Sequence, residues 1–332
     1  MKAIVLVGGF GTRLRPLTLS TPKQMLPMGA ATMLERVVRR LGQQGITTAV
    51  LSLGYKPDIF LEAYPDGRCG DVALEYAVEP EPLDTAGAIA FAADHAGIDD
   101  TFVAVNGDVL TDIRLDDLFT IHRSRKAAAT IALTPVDDPS RYGVVPIDDQ
   151  GRVEAFIEKP PPGEAPTNWI NAGTYVLEPS VLDLVARGER VSIERQVFPG
   201  LVQSGSLFAV QCPGYWVDAG TPETYLQATL DYHNGRRGSE GGIDPRARIA
   251  HDAVVEDSVV GQGAVVGSGV RLTGSLVHAG ARIEAGSIIA DSVVGSRALV
   301  GANSRLTGLS VIGADAEVPS GTELDGGRLP AD

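Results

Sequence analysis

The sequence predicts a doubly wound α/β domain with a mixed, mostly parallel sheet, followed by a left-handed parallel β-helix. Three observations carry that prediction. Apolar strands alternate with helical stretches from Ala3 to about Val105, the pattern of a doubly wound sheet. The first strand ends in a glycine-rich turn, Gly8-Gly9-Phe10-Gly11. From Ile249 onward an aliphatic residue recurs every five or six positions, and stacked coils need such spacing to build one interior.

Ala3 to Val7 is a continuous apolar run, which reads as a strand buried on both faces. Thr32 to Gln44 carries Leu34, Val37, Val38 and Leu41 at helical spacing, and Gly45 ends it. Thr47 to Leu53 and Leu74 to Val78 are further strands, and Ala86 to His95 is an alanine-rich helix. Phe102 to Val105 is a fourth strand, stopping at Asn106-Gly107-Asp108. In a sheet of this class the ligand site lies beyond the carboxyl ends of the strands, where both the Gly8 turn and Asp108 fall.

The middle of the chain reads as strands Ala127 to Val136, Gly143 to Pro146, Val153 to Ile157, Trp169 to Leu177 and Leu207 to Cys212. Asp148 to Gly151 is the turn before the third of these. Ser180 to Ala186, Ser192 to Val202 and Pro222 to His233 read as helices. Asn234 to Gly242, NGRRGSEGG, has the composition of a linker. It separates an expected catalytic domain, 1–235, from an expected repeat domain, 243–332. Three repeat units make one coil, so Ile249, Val266, Ile283 and Val300 are expected to stack.

The chain has 332 residues, 44% of them hydrophobic and 21% charged, which suits a globular protein of about two domains. A net charge of −14 argues against broad nucleic-acid binding. Positive charge is gathered locally instead, at Arg13, Arg15 and Lys23. Cys69 and Cys212 are the only cysteines, so reduced thiols in a cytoplasmic protein are expected. No CxxC or Cys/His cluster suggests zinc, and no apolar run has membrane length. The five histidines, at 95, 122, 233, 251 and 278, show no metal spacing; surface or packing roles are expected of them.

Successive N–H groups in a glycine-rich turn after a strand form a concave anion site. The spacing here is neither the dinucleotide fingerprint nor the Walker A loop. The full string Gly8-Gly9-Phe10-Gly11-Thr12-Arg13-Leu14-Arg15-Pro16-Leu17-Thr18, with Pro22-Lys23 following, resembles the signature of the sugar-nucleotide pyrophosphorylases. Gln24 stands where many members carry proline. The resemblance implies a Rossmann-like nucleotidyltransferase that joins a sugar 1-phosphate to an NTP.

It also implies roles residue by residue. Leu6, Gly8, Gly9, Gly11, Thr12 and Arg13 would meet the nucleotide, and Arg13 and Lys23 would neutralise its phosphates. Glu79 to Ala88, EPEPLDTAGA, resembles the segment that contacts base and ribose, with Glu79, Pro82, Ala86 and Gly87 in place. Asp84 replaces the usual glycine; if that position needs positive φ, aspartate tolerates it better than most residues. Asp108 in VNGDVL and Asp218 in YWVDAGTPETY match the positions of the metal ligands, so Mg2+ is the implied cofactor and Asp108 also borders the nucleotide. Glu158-Lys159-Pro160 matches the pair in which lysine binds the sugar phosphate and glutamate the sugar hydroxyls. Asn171 and Gly173, and Tyr142 with Gly143, match further sugar contacts.

LTLSTPK, DPSRYGVV, INAGTYVLEP and SIERQVFP resemble the branch that uses GTP and mannose 1-phosphate. Uridylyl or thymidylyl transfer to glucose 1-phosphate or a related cyclitol phosphate remains open, as does a regulatory paralogue that only binds nucleotide sugar. The β-helix reads as structural, and a homo-oligomer through it is expected because its ends and faces are open.

Overall fold

The computed structural model describes residues 1–237 and 240–330. The chain divides into two compact units of two stretches each: Met1–Gly8 with Glu35–Trp216, and Gly9–Leu34 with Val217–Asp332. The helix at 222–233 thus groups with the repeats.

The first unit is a mixed α/β sheet. Its chain order is β1 (Lys2–Leu6), α1 (Met33–Gln43, entering from the second unit), β2 (Thr48–Leu53), β3 (Val72–Val78), α2 (Asp84–Ala96), β4 (Phe102–Asn106) and α3 (Leu115–Arg125). Then come β5 (Ala129–Pro135), β6 (Gly143–Val144), β7 (Ile157–Glu158), β8 (Trp169–Leu177), α4 (Phe198–Gln203) and β9 (Leu207–Gln211). The spatial order is β7-β6-β8-β4-β1-β2-β3, with β5 branching from β8 to β9. β1 lies parallel between β2 and β4, with Leu6 opposite Ser52 and Asn106. Ile4 packs in one cluster with Ala86, Ile89, Ala90 and Ala93 of α2. Ala3 and Val5 point to the other face and are also fully buried, as a central parallel strand requires. His122 has the packing role expected, its ring bridging Thr130 and Glu178 at 2.9 Å each.

Three expected elements differ. Val153 to Ile157 is not one strand: Val153 N–H donates to Leu207, Glu154 N–H to Pro146, and pairing resumes only in β7. Only isolated bridges, Arg152 with Phe208 and Ile147 with Val153, form before β7, so no continuous ladder builds a strand here. Ser180 to Ala186 is a 3-10 helix, Pro179–Leu184; Arg187 Nη1 takes the carbonyls of Leu182 and Val185 that a longer helix would use. Ser192 to Val202 begins as a π turn, Ile193–Val197, before α4. Pro199 has no N–H for the carbonyl four residues earlier, and Phe198 N–H reaches back to Ile193.

The second unit holds the glycine loop, α5 (Pro222–His233) and the coils. Thr221 caps α5 through a reciprocal box with Thr224, and Pro222 occupies its first turn. Of the expected linker, Gly238 and Ser239 lie outside the described residues. Arg237 and Glu240 donate their amides to Asp231 and Tyr232 of α5. Three five-stranded parallel sheets follow, consistent with the left-handed β-helix. Ile249, Val266, Ile283, Val300 and Val318 stack in register. Inside one corner a serine ladder accepts the amides the turns leave over: Ser275 N–H donates to Ser258 Oγ at 3.0 Å and Ser292 N–H to Ser275 Oγ at 3.1 Å. Among the described residues no helix is long and apolar enough to cross a membrane.

His278 links the coils to α5. Tyr225 donates its hydroxyl hydrogen to the Pro27 carbonyl and also lies 3.0 Å from His278 Nε2. It must therefore accept there, which puts the imidazole proton on Nε2. Burial lowers the His278 pKa from 6.5 to about 4. Between those values the unfolded chain holds the extra proton, so stability from this group is complete above pH 6.5 and is lost as pH falls towards 4. The loss is about 3 kcal/mol. His278→Gln keeps the donor to Tyr225 without the titration; urea denaturation at pH 7 and 4.5 is expected to show a shallower acid loss in the variant.

Candidate active site

The glycine loop of the second unit is built by backbone and lysine together. Thr18 Oγ1 donates to the Gly11 carbonyl at 2.7 Å, and Leu14 N–H to the same oxygen at 3.0 Å. Thr12 and Arg13 open a 3-10 turn and are exposed. The Lys23 ammonium lies beside Gly9: a Cβ on that glycine would be 3.7 Å from Nζ. Arg13 Nη2 is 3.6 Å from Asp218 Oδ2, and Asp218 Oδ1 accepts the Gly220 N–H at 2.9 Å. Arg13 and Asp218 thus meet at one turn, and Lys23 lies against the loop that leads into Arg13.

In the first unit, Leu6, Gly8 and Asp108 lie at carboxyl ends of parallel strands. Gly107 N–H donates to the Leu6 carbonyl at 3.0 Å, which holds the turn carrying the buried Asp108 against the end of β1. Glu79 is spent on the protein: its oxygens accept Ser52 Oγ at 2.8 Å and Leu83 N–H at 3.1 Å. It braces the expected base segment to the end of β2, and that use is not visible in the motif. Pro82 is exposed, whereas Ala86 and Gly87 are buried in α2. A Cβ on Gly87 would lie 2.6 Å from the Glu189 carbonyl, so close packing by itself demands glycine there.

Asp84 opens α2 with φ 60°. The left-handed backbone that glycine would supply is kept, and Asp84 Oδ1 accepts the Thr85 N–H at 2.8 Å. A β-branched side chain cannot follow. Asp84→Val is expected to cost about 1–2 kcal/mol, read as a lower urea midpoint, while Asp84→Gly stays near wild type.

The expected sugar contacts also belong to the first unit. Gly143 pairs with Glu158 across β6 and β7, and the Lys159 amide donates to the Tyr142 carbonyl at 3.0 Å. Lys159 Nζ lies 3.3 Å from Glu158 Oε1. Asn171 holds a bulge in β8: its Oδ1 accepts the Gly173 N–H at 3.0 Å and its Nδ2 donates to Tyr175 Oη at 2.8 Å. The second N–H of the amide has no partner among the described residues. Trp216, unmarked by sequence reasoning although it stands in the Asp218 motif, donates Nε1–H to the Ala172 carbonyl at 2.9 Å and meets the Tyr142 ring edge-on at 5.6 Å.

Among the described residues no group of three or more His, Cys, Asp or Glu could hold a metal. Asp108 and Asp218 each present a carboxylate, the hard oxygen donor a small divalent cation prefers. A site in which the protein gives one or two carboxylates, and phosphates and waters give the rest, suits Mg2+ better than the richer sets of Ca2+ or Zn2+.

Residues 2–235 match the nucleotidyl transferase family, and residues 240–329 match the GMPPB C-terminal domain. The chain is 40% identical to mannose-1-phosphate guanylyltransferase of Mycobacterium tuberculosis, over 84% of this chain and 80% of that protein. It is 36% identical to mannose-1-phosphate guanylyltransferase 1 of Arabidopsis thaliana, over 84% of this chain and 79% of the relative. Among solved structures, HddC from Yersinia pseudotuberculosis complexed with GMP-PN superposes with a TM-score of 0.60 at 29% identity, covering 70% of this chain and 99% of that one.

Proposed function

The chain belongs to the nucleotidyl transferase family, and from that premise we propose that it transfers the guanylyl group of GTP to mannose 1-phosphate, giving GDP-mannose and pyrophosphate. The gathering of Arg13 and Asp218 at one turn, with Lys23 on the adjoining glycine loop, carries the reaction class. The names of the relatives support the base and the sugar.

A phosphate oxygen of the sugar 1-phosphate attacks the α-phosphorus. As that bond forms, the α–β bridging bond breaks and its electron pair leaves with pyrophosphate. The nucleophile is already ionised, so no strong base is required; positioning and charge stabilisation remain. Arg13 and Lys23 offset the negative charge of the triphosphate and the departing pyrophosphate. Lys159 holds the incoming phosphate as a point charge, restrained by Glu158. Glu158, the remaining Asn171 N–H and the backbone at Tyr142–Gly143 and Gly173 orient the sugar. Leu6, Gly8 and the segment from Pro82 to Gly87 border the nucleotide.

Enzymes of this family use a divalent metal; we assign Mg2+, with Asp108 and Asp218 as its protein ligands. When bound, it supplies Lewis-acid stabilisation of phosphate charge. Catalysis is assigned to 1–235 and self-association to the β-helix of 243–332. The presence of Arg13, Lys23, Asp108, Lys159 and Asp218 favours turnover over a binding-only paralogue, and the left-handed Asp84 keeps the backbone that a glycine would give.

The test is pyrophosphate release with Mg2+ across GTP, UTP, dTTP, ATP and CTP against mannose, glucose and related 1-phosphates. A dominant GTP and mannose 1-phosphate signal is expected. A different best pair moves the specificity, and silence with retained nucleotide-sugar binding overturns the enzymatic reading.

A further inference from the structure

The segment Val191 to Phe198 holds none of the expected site residues, yet it lies between two segments that do. On one side the amides of Ala86 and Gly87 donate to the Val191 carbonyl at 2.8 and 3.1 Å, and Val191 N–H donates to Leu83 at 3.0 Å. On the other, the Phe198 ring meets Tyr175 edge-on at 5.4 Å, and the Tyr175 hydroxyl is the one that Asn171 holds. Between them the chain makes the π turn Ile193–Val197, a register concentrated at functional sites.

The turn presents Glu194, and its two oxygens differ. Oε2 accepts from Thr85 Oγ1 and from Ser192 Oγ, each at 2.8 Å, and Thr85 Oγ1 in turn accepts the Ile193 N–H at 2.8 Å. Oε1 has no hydrogen-bond partner among the described residues. A neutral amide oxygen could also accept from Thr85 and Ser192, so the bracing by itself does not require a second carboxylate oxygen. Burial raises the Tyr175 pKa most, and the negative charges of Glu194 and Glu158 raise it further. The segment that carries Glu194 thus packs, through Phe198, on the ring whose hydroxyl Asn171 holds at the bulge of β8.

We propose that Glu194 is a specificity-determining residue of the sugar pocket, its Oε1 accepting a hydrogen bond from a hexose hydroxyl of the sugar 1-phosphate. This rests on reading the first unit as the sugar-phosphate site. The two hydroxyls on Oε2 fix the carboxylate, so Oε1 is aimed before the sugar arrives and little side-chain entropy remains to be lost. A hydroxyl on a charged acceptor binds more strongly than on a neutral one.

The experiment compares wild type, Glu194→Gln and Glu194→Asp by calorimetric Kd for the hexose 1-phosphate, KM for both substrates, and selectivity across a monodeoxy hexose 1-phosphate series. Glu194→Gln keeps an acceptor for Thr85 and Ser192, and is expected to raise Kd and KM for the sugar phosphate about tenfold while leaving KM for the NTP unchanged. One deoxy sugar is expected to lose binding to wild type by a similar factor and to lose nothing further in the variant. Glu194→Asp, which keeps the charge but withdraws it, is expected to show the same loss. Unchanged sugar affinity and an unchanged deoxy profile in both variants would overturn the inference and leave Glu194 as a brace. If wild type itself binds no hexose 1-phosphate, the reading of the pocket fails, and this inference with it.

Discussion

Replacing Asp218 by asparagine is expected to cut pyrophosphate release by about 10³-fold while the protein stays folded. Asparagine keeps an oxygen for the Gly220 N–H that Asp218 accepts at 2.9 Å, so the turn survives. The ion pair with Arg13 spans 3.6 Å, and the arginine side chain is 60% exposed; such pairs add little stability. What disappears is negative charge, and with it the hard ligand proposed for a divalent cation and the counter-charge beside Arg13. Steady-state release assays at several Mg2+ concentrations read the effect, with thermal melting as the control for folding. A rate within twofold of wild type would remove Asp218 from the mechanism. Asp108→Asn is expected to show a loss of the same order.

Gly173→Ala is the substitution with the largest expected cost in stability, about 3 kcal/mol. Two terms combine. Gly173 has φ 69°, where an L-residue costs about 1–2 kcal/mol. Its Cβ would lie 2.6 Å from Asn106 Nδ2 and 3.0 Å from Asn106 Cγ, an overpacking worth about 1–3 kcal/mol. Relief is limited because β4 and β8 are paired from the very next residues onward, Thr174 with Val105 and Tyr175 with Ala104. The double variant Gly173→Ala/Asn106→Ala separates the terms: removing the Asn106 side chain is expected to recover the overpacking share and leave the backbone share. Urea denaturation of wild type, Gly173→Ala, Asn106→Ala and the double variant measures both. A single variant as stable as wild type would mean that the bulge relaxes freely and does not constrain β8.

Several parts of this protein were legible in residue order. An apolar run ending in glycines gave β1 and its turn. Aliphatic spacing predicted which residues stack, and Ile249, Val266, Ile283 and Val300 do so in register. Pro222 to His233 emerged with the predicted bounds, since Thr221 before Pro222 is a start signal complete within four residues. Asp84 could be judged in advance because φ tolerance belongs to the side chain and its own backbone.

Other features depended on partners far away in sequence. Glu79 looks like a ligand contact in its motif, yet Ser52, 27 residues distant, claims one oxygen. Asn171 is held by the bulge it creates, and Trp216 finds its acceptor 44 residues away in Ala172. The distances between Glu194 and Thr85, and between Gly173 and Asn106, have no trace in local pattern. Residue order determined the repeats, the helix caps and the chemistry of the motifs, because those follow from propensity and periodicity over a few neighbouring residues. Tertiary structure alone decided which polar groups are spent on the protein and which remain for a ligand. A buried donor or acceptor must find a partner, and the fold decides which groups are close enough to serve.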